Sequence, residues 1–232
     1  MVNELSSLSQ FISAGFKYNL ETLPDTITAA SFLFAILFQS PPLAALTGSI
    51  LVLAITRPLV GRFASRFIGD TAIAGAEASR CSGHFPGVSF ERILELSSTK
   101  GFGNLEFDGL PTYYSMFLGF LATYVGALPW LYAKEISYSP KRSASTTTGL
   151  VVLGLIVVIG SLYRVLSQCE TPTSLIIGLI AGGVIGAVCV FLLALISERR
   201  LTNILSFPLI RNRATDGKPI YVCEKTKKPQ RG

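Results

Sequence analysis

The sequence predicts an all-α protein, a transmembrane bundle of four to five membrane helices. Half of its 232 residues are hydrophobic and only 15% are charged, a balance typical of membrane proteins rather than of water-soluble domains. Long uncharged runs cover residues 26–56, 109–133, 143–163 and 171–197. Each run is at least as long as the roughly 20 apolar residues that a helix needs to cross a bilayer.

Residues 1–25 form an amphipathic segment in which hydrophobic side chains recur at roughly helical spacing, with serines between them. This pattern fits a helix lying in the membrane interface, and it fits equally well an amphipathic terminus packed on its own bundle. Pro24 is expected to end this helix, and Asp25 and Thr26 are expected to cap the next one.

The spans follow from the uncharged runs and from the prolines that interrupt them. Pro41 and Pro42 break the first run, because proline removes helical hydrogen bonds. Within a bundle over 26–197 we expect spans at about 27–39, 43–57, 111–133, 146–163 and 174–197, with Pro111 in the first turn of the third. The first piece is about 20 Å long at 1.5 Å per residue. The sequence leaves open whether it crosses the membrane or lies half-buried against its neighbours.

Two polar regions flank the spans, a partly helical loop over 58–110 and a basic tail over 198–232. Counting crossings puts the loop and the 164–174 hairpin on one membrane face, and the 134–142 loop and the tail on the other. The second face carries three Lys/Arg in its loop and nine in the tail, so the positive-inside rule makes it cytosolic. Such a tail favours a membrane surface or a protein partner over nucleic acid. We expect the tail to form a short β-like arm with a disordered end.

Glycines recur every four residues along the last span, at Gly178, Gly182 and Gly186. This spacing places them on one helix face, where the missing side chains let a neighbouring helix come close. The sequence therefore predicts helix packing along this face.

Three motifs meet on the face that carries the long loop. They are Arg57-Pro58, Pro-Thr-Tyr-Tyr-Ser at 111–115, and Arg164-x5-Glu170-x3-Ser174. Their order and their placement at helix ends resemble the type 2 phosphatidic acid phosphatase superfamily, whose motifs read Lys-x6-Arg-Pro, Pro-Ser-Gly-His and Ser-Arg-x5-His-x3-Asp. The resemblance covers roughly residues 43–197 and implies a phosphatase-like bundle, with Arg57 and Arg164 at the positions of the phosphate-binding arginines.

The catalytic residues of that superfamily do not carry over. Ile50 stands where the family has lysine, Tyr114 where it has the general-acid histidine, Glu170 where it has the nucleophilic histidine, and Ser174 where it has aspartate. The phosphohistidine mechanism needs two histidines, and the chain contains one, His84. We therefore expect no phosphatase activity and no catalytic residues.

The remaining polar residues give weaker signals. Cys81 and His84 have half of a zinc spacing with no second pair, so no metal and no cofactor is expected. The four cysteines are scattered, with Cys189 in mid-span, and predict no disulfide framework. Arg57 and Arg164 fit a vestigial phosphate or lipid-headgroup site with Tyr114 and Glu170. They also fit snorkelling interface arginines, or a buried Arg164–Glu170 ion pair.

The leading functional hypothesis is a pseudoenzyme, a phosphatase-like bundle that persists as a structural membrane component. The 111–115 motif and Asp-Gly-Lys-Pro-Ile-Tyr-Val-Cys at 216–223 look like the multi-span virion membrane proteins of large double-stranded DNA viruses. That likeness implies a minor capsid or inner-membrane protein of a virus particle, whose partners are the lipid bilayer and neighbouring coat proteins. The long loop and the basic tail would make the protein contacts, the tail through Arg211, Arg213, Lys218, Lys225, Lys227 and Lys228.

Two other functions fit parts of the sequence. The retained arginines fit a lipid phosphatase or phosphotransferase with an altered site that uses Glu170 or Ser174. The glycine-lined groove fits a lipid-binding or scrambling module.

Overall fold

The computed structural model describes residues 15, 18–68, 112–137, 140–197 and 199–204, and within them all regular secondary structure is helical. This confirms the all-α prediction for the described residues. The helices are α1 (Leu23–Leu37), α2 (Pro41–Ile68), α3 (Tyr113–Leu131), α4 (Ala133–Ser137), α5 (Pro140–Leu166) and α6 (Pro172–Ile196).

Four stretches are long and apolar enough to cross a membrane: Pro41–Ala64, Tyr113–Leu131, Ser143–Leu166 and Pro172–Ile196. They fall in α2, α3, α5 and α6. The described residues therefore have the composition and helix lengths of an integral membrane protein.

The start of α1 differs from the expectation. The preceding helical residues end at residue 21, and Pro24 lies in the first turn of α1 instead of stopping the helix before it. Proline is well tolerated there because the N–H groups of the first turn have no partner within the helix. Thr22, not Asp25, is the N-cap residue, and its hydroxyl bonds back to the Tyr18 carbonyl at 2.9 Å. Residues 1–14, 16 and 17 of the expected amphipathic segment lie outside the described residues.

The two prolines separate α1 from α2, as the sequence predicts. Gln39 adopts a φ of 46° after the end of α1, and Pro41 opens α2. With 15 residues, α1 is shorter than a span, and it packs on α2. The Ser31 and Thr47 hydroxyls lie 3.0 Å apart across this contact, which satisfies both polar groups inside an apolar setting.

The second span continues further than predicted. We expected it to end at Arg57 and the polar loop to begin at residue 58, but α2 runs through Pro58 to Ile68. The prediction was wrong because an interior proline does not always end a helix: it removes one backbone hydrogen bond and crowds the carbonyl four residues earlier, yet the helix continues through it. Apolar residues on both sides of Pro58 continue the helical pattern. Membrane helices tolerate such a proline when neighbouring groups satisfy the freed carbonyl.

The third span lies at the centre of the bundle. Its helix begins at Tyr113 with Thr112 as the N-cap residue, and the Thr112 Oγ1 accepts a hydrogen bond from the Ser115 N–H at 3.3 Å. Pro111 lies outside the described residues. Large, fully buried side chains of α3 form the core together with residues of α2 and α6; on α3 they are Met116, Phe117, Phe120, Tyr124 and Leu128.

Helix α6 packs directly on α3 through the glycine face. A Cβ at Gly182 would overlap the Met116 carbonyl, and one at Gly186 would lie 2.7 Å from the Phe120 carbonyl oxygen. Gly119 of α3 makes the reciprocal close approach to the Leu179 backbone. These approaches bring backbone against backbone, so any larger side chain would force the two helices apart. Gly178 is buried on the same helix.

Helices α3 and α6 run parallel. Thr112, the N-cap residue of α3, and Ser115 in its first turn donate hydrogen bonds to Glu170, just before α6. At the other end of α3, Leu131 and Tyr132 bond Arg199, just after α6. The first of these meetings is at the loop end of the bundle, and the second is at the tail end.

Candidate functional site

The candidate site lies at the loop end of the bundle, where α5 turns into α6. Arg164 is in the last turn of α5 and Glu170 precedes the N-cap Thr171 of α6. The expected span boundary at residue 163 was therefore three residues short, and Arg164 lies within the helix rather than in the hairpin. A left-handed residue, Gln168 with φ 56°, reverses the chain between them and brings the two side chains together.

Glu170 is held by three hydroxyl groups. Its Oε1 accepts hydrogen bonds from Ser115 Oγ at 2.7 Å and from Ser174 Oγ at 3.1 Å. Its Oε2 accepts one from Thr112 Oγ1 at 2.9 Å. Each carboxylate oxygen of this buried side chain therefore has at least one hydrogen-bond donor from the protein. The same bonds join the start of α3 to the start of α6.

Arg164 provides the compensating positive charge. Its Nε lies 3.8 Å from Glu170 Oε2, and the side chains are 8% and 1% exposed. The guanidinium carbon also lies 4.9 Å from the centre of the Tyr114 ring, in a cation–π arrangement. Arg164 is thus oriented by a carboxylate and by an aromatic face together.

The Tyr114 hydroxyl points toward α5. A Cβ built on Gly160 would lie 3.0 Å from it, so the glycine makes room for the phenol. This hydroxyl is buried and has no hydrogen-bond partner among the described residues.

A neighbouring contact ties the N-terminal region to the same end of α5. Tyr163, next to Arg164, donates a hydrogen bond to Glu21 Oε1 at 2.6 Å. Two contacts therefore hold the end of α5, one from Arg164 to Glu170 and one from Tyr163 to Glu21.

The structure brings together most, but not all, of the predicted site. Four of the predicted residues lie together: Arg164, Tyr114, Glu170 and Ser174. With Thr112 and Ser115 they form a group of six residues that we call the Glu170 cluster. Arg57 is half-buried on α2, and it is not among the groups that contact Glu170. His84, Cys81 and the predicted tail residues Arg211 to Lys228 lie outside the described residues.

Sequence reasoning gave no role to Thr112 and Ser115, which turn out to hold the carboxylate. A signal was present, since two hydroxyl residues three positions apart at a helix start share one face. What the sequence lacked was the parallel packing of α3 on α6, which turns that face toward Glu170.

The chemistry available to this arrangement is limited by burial. As whole residues, Glu170, Ser115 and Ser174 are only 4%, 0% and 1% exposed, so their polar groups bond one another rather than water. The carboxylate already satisfies the positive charge of Arg164, and a phosphate placed there would meet a like charge. Among the described residues, no group of three or more His, Cys, Asp or Glu side chains is placed to hold a metal ion.

The opposite, tail end of the bundle carries a second polar cluster. Arg199 donates from Nη1 to the Leu131 carbonyl at 2.9 Å, while the Tyr132 hydroxyl donates to the Arg199 carbonyl. Thr202 Oγ1 lies 2.9 Å from the same hydroxyl. Burial raises the pKa of the Tyr132 hydroxyl. These contacts anchor residues 199–204 to the end of α3.

Comparisons of the chain with protein-family models, with curated proteins and with solved structures found no match.

Proposed function

We propose that this protein is a catalytically inactive, phosphatase-like integral membrane protein with a structural role. The observation that carries the proposal is the Arg164–Glu170 contact. The arginine that the motif resemblance assigns to phosphate binding is paired with a carboxylate of the same chain, and three hydroxyls donate hydrogen bonds to that carboxylate.

Charge and burial both argue against phosphate chemistry at this position. An incoming phosphate would have to displace Glu170 from Arg164 and from three hydrogen bonds, or else share the site with another anion. The chain also has one histidine, whereas the phosphohistidine route uses two. The cluster is better suited to joining α3, α5 and α6 than to turning over a substrate.

The two ends of the bundle support a connecting role. Arg199 and Tyr132 fix the point where the tail leaves the membrane helices, and the tail beyond it is strongly basic. The long loop begins and ends on the opposite face. In the finer form of the proposal, which rests on the sequence likeness to virion membrane proteins, the protein lies in the internal membrane of a virus particle and links it to the protein shell as a minor capsid component.

An activity measurement tests the loss of catalysis. The purified full-length chain is placed in vesicles containing phosphatidic acid, with and without divalent metals, and released phosphate is measured. We expect the wild type to release no more phosphate than Arg164→Ala. Release by the wild type that disappears in Arg164→Ala would overturn the proposal.

Cross-linking mass spectrometry on the native membrane or particle tests the connecting role. Lys218, Lys225, Lys227 and Lys228 are the reporters in the tail. Links from these lysines to abundant coat proteins are expected. Links only within the chain, or to ordinary membrane proteins, would remove the capsid role.

One observation favours a second candidate, an altered phosphotransferase. Ser115 and Ser174 each donate to Glu170, which is the relation of a nucleophile to its base. This candidate predicts a phosphoserine intermediate at 115 or 174 after incubation with lipid phosphate, lost in Glu170→Gln. An absence of such modified peptides would exclude it.

A further inference from the structure

Cys169 lies in the turn between α5 and α6, one residue before Glu170. It is disulfide-bonded, and it is 3% exposed. This bond contradicts the expectation of no disulfide framework, which was drawn from the scattered positions of the four cysteines. The bond therefore adds a covalent contact at the loop end of the bundle, beside the Glu170 cluster.

The chain contains three other cysteines, and the structure removes one of them as the partner. Cys189 is free and lies inside the span Pro172–Ile196. Cys81 and Cys223 remain, and both lie outside the described residues.

The order of the membrane crossings distinguishes Cys81 from Cys223 as the partner of Cys169. Cys81 belongs to the segment between α2 and α3, and both the end of α2 and the start of α3 lie on the Cys169 side of the membrane. Cys223 follows α6, whose 25 residues carry the chain about 37 Å away from Cys169, to the other side. A disulfide to Cys223 would require the tail to cross the membrane again.

We propose that Cys169 is joined to Cys81, and that the face carrying the Glu170 cluster matures in an oxidising compartment. Disulfides form and persist in such compartments and are rare where thiols are kept reduced. The proposal does not depend on whether the protein is catalytic. It agrees with the charge count, which independently places the other face, with its twelve Lys/Arg, on the cytosolic side.

The bond forms by thiol–disulfide exchange with a protein disulfide oxidant. One cysteine thiolate attacks a sulfur of the oxidant's disulfide to give a mixed disulfide, and the second thiolate then displaces the oxidant. The two protons and two electrons that the cysteine thiols lose pass to the oxidant, which leaves as a dithiol. The product ties the segment between α2 and α3 to the α5–α6 turn.

Peptide mapping without reduction tests the pairing. Free thiols of the full-length protein are first blocked with N-ethylmaleimide in the native membrane, and the chain is then cut after Lys/Arg and after Glu. Cys81, Cys169 and Cys223 fall in separate peptides, 81–91, 165–170 and 214–224. We expect 81–91 linked to 165–170, and 214–224 carrying the maleimide. Linkage of 165–170 to 214–224 or to another protein, or its recovery as a blocked free thiol, would overturn the proposal.

Two matched variants provide a second test that does not depend on recovering the linked peptide. In Cys81→Ser, peptide 165–170 is expected to carry maleimide after denaturation without reductant, whereas in Cys223→Ser it is expected to stay unlabelled. The reverse pattern would assign the bond to Cys223. Labelling of 165–170 in neither variant would show that neither cysteine is the partner.

Discussion

Arg164 and Glu170, six residues apart in sequence, face each other across the α5–α6 turn with Nε 3.8 Å from Oε2 and with both side chains buried. This contact joins the last turn of α5 to the start of α6. Burying either charge alone would carry a large desolvation cost, and each charge of the pair partly offsets that cost for the other.

Glu170→Gln should destabilise the bundle by roughly 3 kcal/mol, since removal of one partner leaves the other charge buried without compensation. The measurement is unfolding in detergent, followed by helical circular dichroism. The double variant Arg164→Met with Glu170→Gln removes both charges, keeps a hydrogen-bonding side chain for the three hydroxyls, and should recover most of the loss. A single variant as stable as the wild type would show that the pair contributes nothing.

Ser115→Ala removes a 2.7 Å hydrogen bond to a buried carboxylate. We expect a loss of about 2 kcal/mol, the usual range for hydrogen bonds to charged groups. Ser145→Ala is the matched control, because Ser145 is exposed on α5 and should change stability by less than about 0.5 kcal/mol. Equal effects of the two changes would contradict the account of the Glu170 cluster.

Gly182→Ala should separate α3 from α6 or prevent their packing, because the new methyl group would overlap the Met116 carbonyl. Gly154→Ala is the control on α5, where nothing lies within 4 Å of the added Cβ. This control should be neutral or stabilising by up to about 1 kcal/mol, since alanine is the better helix former. Helix content and melting temperature of the two purified variants check the difference. A Gly182→Ala variant that melts like the control would argue against close packing.

Tyr132→Phe should loosen residues 199–204 from the end of α3 by removing the hydroxyl that bonds the Arg199 carbonyl. The expected cost is about 1 kcal/mol. Faster tryptic cleavage after Arg199 or Arg200 reports it, and cleavage at the wild-type rate would show that this hydroxyl does not anchor the segment.

The same hydroxyl predicts a pH dependence. Burial raises the folded-state pKa of Tyr132 above its ordinary value near 10. A raised folded-state pKa means that the stabilisation is fully present below the unfolded-state pKa and is lost as pH rises through the folded-state value. The stability difference between wild type and Tyr132→Phe should therefore shrink above about pH 10. A difference that grows with pH would contradict this sign.

The fold was predictable where the physical rule depends on composition alone. Uncharged runs long enough to cross a bilayer located the helices that became α2, α3, α5 and α6, and Pro41 with Pro42 marked the break between α1 and α2. Prolines were misread where their position within the helix decides their effect. Pro24 sits in a first turn and Pro58 inside a continuing helix, and a sequence pattern does not separate these cases from true stops.

The site was predictable in its charged members and not in its hydrogen bonds. Arg164 and Glu170 stood out as charges beside membrane spans, and their ion pair was one of the sequence-based interpretations. Thr112 and Ser115 became partners of Glu170 only because α3 and α6 run parallel in close contact. Arg57, assigned by motif order, lies on a different helix from the groups that hold Glu170.

The central claim is that Glu170 takes the place of a phosphate beside Arg164, and equilibrium binding of inorganic phosphate tests it most directly. The protein in detergent is titrated as wild type, as Arg164→Ala, as Glu170→Gln, and as Glu170→Gln combined with Arg164→Ala. We expect no saturable binding to the wild type, binding to Glu170→Gln, and loss of that binding when Arg164 is also removed. Saturable binding to the wild type that disappears in Arg164→Ala would contradict it.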